Sequence, residues 1–291
     1  MRIVYTIVLS IFFFSTEAQN LLDRSLKKYQ DGELRAAKIL IDSALTSDLY
    51  ASENVSWYLK GFIYKDLYKS NTSSSESDEL RKTSVNSFYR LLNMDSVGQY
   101  KKETLQNLKY LATTYYNDAM KLIQNQNFSG ANIYYSRFIA VYSPINDGSI
   151  SLSNSELQFH LALGSGYIQK QQLDSTKNYS RLALAAFEHV LSLDSMNKEA
   201  NYQIGVIYYN DAVNRILDLD YDDLDLLAFG KFEDETIELF KKSLPYMEQA
   251  YRVNDKDENI LEGLAGIHFG LREFEISNKY REELTALKED D

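Results

Sequence analysis

The chain has 291 residues, a formal net charge of −11 and no cysteine. Without cysteine there is no disulfide framework and no thiolate metal site, so a hydrophobic core must hold the fold, and the length suffices for one. The acidic balance disfavours nucleic acid and anionic lipid surfaces, because both need clustered Lys and Arg to neutralise phosphates.

Arg2, the apolar run Ile3 to Phe14 and the small-x-small step Thr16-Glu17-Ala18 have the layout of a secretory signal. Residues 1–18 are expected to be removed, leaving Gln19 as the first residue of the mature chain. The run falls short of the about 20 apolar residues that span a bilayer; an uncleaved anchor is the rival reading. The expectation is an exported protein, periplasmic in the first instance, with the cell surface or secretion as alternatives, and with no membrane insertion after cleavage.

Beyond the signal only Pro144 and Pro245 interrupt a chain whose apolar residues recur at three- and four-residue steps, an all-helical pattern. In chain order, Leu21 to Gln30 predicts a first helix, Asp31-Gly32 a turn, and Ala37, Ile41 and Ala44 the inner stripe of a return helix. Trp57, Gly61 and Tyr64 then precede Ser84, Phe88 and Leu91. Tyr115, Ala119 and Leu122 precede a turn at Phe128 and a return helix with Ala131, Tyr135 and Phe138, closed by Pro144. His160, Leu163, Gly164 and Tyr167 precede Ala183, Phe187 and Val190. Ile204, Gly205 and Tyr208 precede Ser243, Met247 and Ala250. Leu261, Leu264 and Ala265 precede Phe274, Ser277 and Leu284.

Three stretches read as insertions. Ser70 to Asp78 is a polar loop between helices of the second pair, and Asn146 to Ser155 is a Gly/Ser/Asn linker. The longest is 214–242, whose later part, Phe232 to Lys242, is helical in pattern and runs into the return helix, with Pro245 expected to kink it.

The spacing aromatic, Gly four later, Tyr three later recurs at Trp57-Gly61-Tyr64. Related frames stand at His160-Gly164-Tyr167 and Asn201-Gly205-Tyr208. With the small–large spacing of the return helices, this unit resembles the tetratricopeptide repeat, a helix–turn–helix of about 34 residues. In particular, the chain resembles exported bacterial, Bacteroidetes-like members of that family. The resemblance implies an all-α fold, an α-solenoid of about six helix pairs over residues 19–291 with a long insertion at 214–242. The first and sixth pairs depart from the pattern, as terminal capping repeats do. It also implies a non-enzymatic scaffold or adaptor of the cell envelope, binding a protein or peptide segment in a concave groove lined by first helices, with no cofactor.

Adjacent helical residues point about 100° apart, so one ring of a pair packs while its neighbour turns toward the groove. Tyr58, Phe62, Tyr116, Tyr202 and Tyr209 are the partner-binding candidates by this geometry; the competing reading is that they fill contacts between adjacent first helices. No nucleophile motif, phosphate loop or zinc motif is present, so no catalytic residue and no metal ligand is assigned. His160, His189 and His268 read as packing residues, since none has a second His or a Cys at ligand spacing. The acidic run Asp218, Asp220, Asp222, Asp223 and Asp225 lacks the sharp-turn Gly and closing Glu of a calcium loop and reads as a solvated loop before it reads as a cation site. The alternatives to the scaffold are a glycan-binding surface protein, whose sugar would stack on the aromatics, and an enzyme with an unmarked site in 214–242.

Overall fold

A computed structural model describes residues 19–71, 74–145, 147–174, 178–219 and 225–290. The expected signal at 1–18 and Asp220, Asp222 and Asp223 of the acidic run lie outside the described residues. Among the described residues there are thirteen helices and no strand: α1 (Gln19–Gln30), α2 (Leu34–Ala44), α3 (Asp48–Ala51), α4 (Asn54–Ser70), α5 (Ser74–Met94), α6 (Lys101–Gln124), α7 (Phe128–Tyr142), α8 (Leu152–Leu173), α9 (Tyr179–Leu193), α10 (Lys198–Leu217), α11 (Leu226–Val253), α12 (Glu258–Gly270) and α13 (Phe274–Asp290). Apart from the single turn α3, they fall into six consecutive pairs, an all-α, solenoid-like fold.

The chain forms two compact units. The first comprises 1–116 and 136–146, and within it α1 packs on α2, α2 on α4 and α4 on α5. Its core joins Ala37, Ile41, Leu59, Ile63, Tyr64, Leu67 and Leu80. The second comprises 117–135 and 147–291, and within it α8 packs on α9, α9 on α10, α10 on α11, α11 on α12 and α12 on α13. It holds two clusters, one around Phe187, Val190, Ile204 and Ile207 and one around Phe240, Met247, Ile260 and Leu264.

Two contacts recur within the pairs. The first is a knob in a glycine notch. A Cβ placed on Gly61 would fall 2.5 Å from the Phe88 ring, one on Gly164 would fall 2.6 Å from the Phe187 ring, and one on Gly205 would fall 3.2 Å from Met247 Cε. Each first helix thus leaves a hole that the large residue of its return helix fills. The second contact is a hydrogen bond between helices. Ser84 Oγ donates to the Gly61 carbonyl (2.8 Å), Ser243 Oγ to Gly205 (2.7 Å), Ser277 Oγ to Ala265 (2.7 Å) and Ser25 Oγ to Ala37 (2.9 Å). All four serines are buried. The small partner lets the backbones approach until a hydroxyl on one helix reaches a carbonyl on the other, which satisfies an otherwise costly buried polar group.

Local chemistry sets the helix ends. Gly32, at φ +78°, ends α1: its N–H bonds the Tyr29 carbonyl and the Glu33 N–H bonds Lys28, the paired bonds of a Schellman turn. Gln126 and Arg272 hold the same turn at positive φ without being glycine. Asn178, Asn197 and Asp225 cap α9, α10 and α11 by accepting a backbone N–H three residues on.

Several sequence expectations need correction. The polar stretch 70–78 is mostly helix: α5 starts at Ser74, because Ser, Glu and Asp are favoured in a first helical turn. Phe128 opens α7 and does not sit in the turn, which is 125–127. Within 214–242, α10 extends to Leu217, and α11 starts at Leu226, earlier than the expected Phe232, and continues through Pro245. In the sixth pair Phe274 is exposed while Ser277 is buried.

An ion cluster ties α2 to α4. Tyr64 Oη (2.6 Å) and Lys38 Nζ (2.9 Å) donate to Asp42 Oδ2, and Lys60 Nζ lies 2.9 Å from Oδ1. Burial pushes the Asp42 carboxyl up, but the hydrogen bonds from Tyr64, Lys60 and Lys38 outweigh it and hold the pKa below the usual carboxylate value. Burial, then Asp42, pushes the Tyr64 hydroxyl up to about 12.

Three outcomes are expected. Gly164→Ala should destabilise by about 1–3 kcal/mol in urea unfolding, because the Phe187 ring must move. Gly230→Ala on α11, where a Cβ would meet nothing within 4 Å, should instead stabilise by about 0.5–1 kcal/mol. Asp42 contributes stability above its unfolded pKa of about 3.9 and loses it as pH falls through its lower folded pKa. The gap in melting temperature between wild type and Asp42→Asn should therefore be full at neutral pH and close in strong acid.

Candidate functional site

The five aromatic candidates are all half-buried. In the first unit Tyr58 lies 4.7 Å, ring to ring, from both Phe62 and Tyr100, and its hydroxyl donates to Glu103 on α6. Burial, then the Glu103 hydrogen bond, pushes the Tyr58 hydroxyl well above its ordinary value. Phe62 meets Phe88 edge-on at 5.4 Å, with Lys65 Nζ 4.1 Å from the centre of its ring. Lys65 in turn donates to Asn107 on α6 (2.8 Å). Tyr116 meets Phe138 edge-on at 5.2 Å. Tyr58 and Phe62 thus belong to one aromatic group that braces α4 against α6, and Tyr116 belongs to the α6–α7 pair.

In the second unit Tyr202 and Tyr209 pack against the Phe240–Met247–Leu264 cluster. Tyr209 stands 5.9 Å from Phe240 and close enough to α12 that a Cβ on Gly266 would fall 2.5 Å from its hydroxyl. Burial raises both hydroxyls, with Asp257, Glu199 and Glu262 adding to it at Tyr202 and Glu262 at Tyr209.

The second unit also carries a cleft of about 430 Å³ built on first helices. Met120, Ile123 and Gln124 come from α6, and Gln203 comes from α10. Ala162, Ser165, Gly166, Ile168, Gln169 and Gln172 come from α8. Gly166 forms its floor: a Cβ there would fall 2.9 Å from the Phe128 ring and 3.0 Å from Ile123 Cγ2, so only glycine lets α8 settle this deep. Among the described residues no charged side chain lines the cleft, although the whole chain carries −11. Each glutamine offers an N–H donor pair and a carbonyl acceptor above an apolar floor. That combination matches the edge of an extended peptide, or any neutral polar chain.

Sequence reasoning passed over these glutamines because an amide belongs to no motif. The available signal was Gln169 and Gln172, three apart on one face of α8. It also treated the histidines as isolated, whereas the rings of His160 on α8 and His189 on α9 lie 4.0 Å apart. Burial, then His189, lowers the His160 pKa. His268 remains a packing residue, buried, paired with Glu273 and stacked on Tyr280 at 5.5 Å. Of the acidic run, Asp225 is the cap of α11.

Fold and cleft together define a helix-pair repeat protein with an amide-lined cleft. No family model and no curated protein matches the sequence. Among solved structures the chain is similar to PilW, described as a widely conserved type IV pilus biogenesis factor, at 15% identity over 94% of each chain with a TM-score of 0.34. It is also similar to a monomeric mutant of IFIT1 with Gppp-AAAA, at 12% identity over 92% of this chain and 50% of that one, TM-score 0.40. A third is YrrB, described as a tetratricopeptide-repeat protein with an unusual peptide-binding site, at 18% identity over 84% and 90%, TM-score 0.26. At these identities and TM-scores none of them says anything about this chain's partner.

Proposed function

We propose that this protein is a non-enzymatic adaptor that holds an extended, uncharged peptide segment of a partner in the cleft between α6, α8 and α10. One observation carries the reading: in a strongly acidic chain, the described residues of this cleft carry no charge and place four amide side chains over an apolar floor. Backbone N–H and C=O groups of a peptide pair with those amides, while Ile123, Ile168 and Met120 receive small apolar side chains. Tyr58, Phe62, Tyr116, Tyr202 and Tyr209 take a supporting part, bracing neighbouring helices and offering the exposed part of each ring to the partner. The apolar run at 3–14 supports export, which makes a cell-envelope protein in the periplasm the favoured partner. The acidic charge argues against nucleic acid. Among the described residues no helix is long and apolar enough to cross a membrane.

A displayed library of random peptides selected against the mature chain tests this. Ser165 is exposed at the cleft, so Ser165→Trp fills it without disturbing the core. Peptides recovered on the wild type should bind by calorimetry and lose binding to Ser165→Trp. Gln169→Ala with Gln203→Ala should weaken them by about tenfold, the worth of one or two neutral hydrogen bonds. Binding indifferent to Ser165→Trp would refute the site. A polysaccharide hit on a glycan array, with no selectable peptide, would transfer the cleft to sugars.

A further inference from the structure

We propose that Glu156, His160 and His189 form a binding site for a divalent transition metal of the zinc class. Each offers one ligand atom, and the three atoms lie within 4.8 Å of one another. Glu156 and His160 are four residues apart on α8, hence on the same face, and His189 comes from the paired helix α9. His189 Nε2 is 2.8 Å from Glu156 Oε1, and the two imidazole rings are 4.0 Å apart.

The chemistry of the donors selects the ion. Two imidazoles and one carboxylate are a zinc ligand set, and three protein ligands leave a fourth position for water. Calcium and magnesium prefer oxygen ligands throughout. Zinc bonds of about 2.0–2.2 Å bring ligand atoms closer together than 4.8 Å. The side chains of Glu156 and His189 are 38% and 39% exposed, so both are free to turn inward by that amount. On binding, the ion takes the place of the proton shared between His189 and Glu156.

A second observation points to a ligand. His160 Nδ1 is buried and has no hydrogen-bond partner among the described residues. A buried imidazole nitrogen left unpaired is costly, and a hydrogen-bonded His–Glu pair alone does not relieve it. The site lies away from the cleft: positions 162, 165 and 169 stand about 140–200° around α8 from position 160. The proposal therefore stands or falls independently of the peptide reading. Because the ligands come from both helices, the ion clips α8 to α9.

Calorimetric titration of Zn²⁺ into the untagged chain, stripped by a chelator, tests it. A single Zn²⁺ should bind and raise the melting temperature, and Mg²⁺ should do neither. Glu156→Gln and His189→Gln, both at partly exposed positions, should each weaken Zn²⁺ binding by about tenfold or more. In the unaltered chain, Zn²⁺ should also protect His160 and His189 from carbethoxylation by diethyl pyrocarbonate, read by peptide mass spectrometry. Equal affinity in the variants, or unchanged reactivity of both histidines under saturating Zn²⁺, would overturn the site.

Discussion

The fold depends on how closely two helix backbones approach within a pair. Gly61, Gly164 and Gly205 remove a side chain where Phe88, Phe187 and Met247 arrive, and the missing volume is filled by a large apolar group. Each such burial is worth roughly 1.5–3 kcal/mol. The approach then does a second thing. It brings Ser84 and Ser243 within 2.8 and 2.7 Å of the carbonyls of the same glycines. Serine and a large apolar residue four apart on the return helix therefore act on one glycine of the first helix, one through its carbonyl and one over its Cα. Ala183 takes the serine's place beside Phe187 in the fourth pair and is buried, so among the three pairs with a glycine notch the apolar knob is common to all and the hydrogen bond is not. The terminal pairs show the reverse balance. Ser25 and Ser277 keep the hydrogen bond to Ala37 and Ala265, while the glycine notch is gone.

That coupling explains what was legible in the sequence. Glycine, serine and phenylalanine at fixed spacing encode a contact between segments one turn apart in sequence, so the pairs, their inner stripes and the all-α class follow from spacing alone. Charge and polarity misled where helices begin. The run Ser74-Ser75-Glu76-Ser77-Asp78 reads as a loop by composition, yet Ser, Glu and Asp are also the residue types favoured where a helix starts, and α5 starts at Ser74. The early start of α11 is hidden for a related reason: Leu226 to Lys231 has few polar–apolar alternations, and the exposed Leu226 and Leu227 mask the helical period.

The cleft and the histidine pair were not legible because both are products of tertiary placement. His160 and His189 are 29 positions apart, and only the antiparallel course of α8 and α9 superimposes them. Gln124, Gln169 and Gln203 sit on three different helices, each unremarkable by itself. A scan for local motifs is blind to residues that converge across elements. The five aromatic candidates illustrate the converse. Tyr58 and Tyr209, which stand beside Trp57 and Tyr208 in the sequence, reach α6 and α12, whereas Tyr116 packs on Phe138 of its own pair.

Helix α8 concentrates these demands. Its residues face α9 through Glu156, His160 and Gly164, and face the cleft through Ala162, Ser165 and Gln169. A helix with neighbours on most sides cannot be polar on one broad face, which is why its apolar period is weak while its glycines are two, Gly164 and Gly166, each pressed by an aromatic ring from a different helix. Those two rings, Phe187 and Phe128, fix the depth of α8 from opposite directions. A helix held this way cannot slide without opening one notch, so the amide side chains it presents to the cleft stand at a set height above Ile123. Preorganisation of that kind lowers the entropy lost when a flexible segment is captured. It is also what gives a shallow, uncharged cleft, with no strong electrostatic term to draw on, a physical basis for holding a partner.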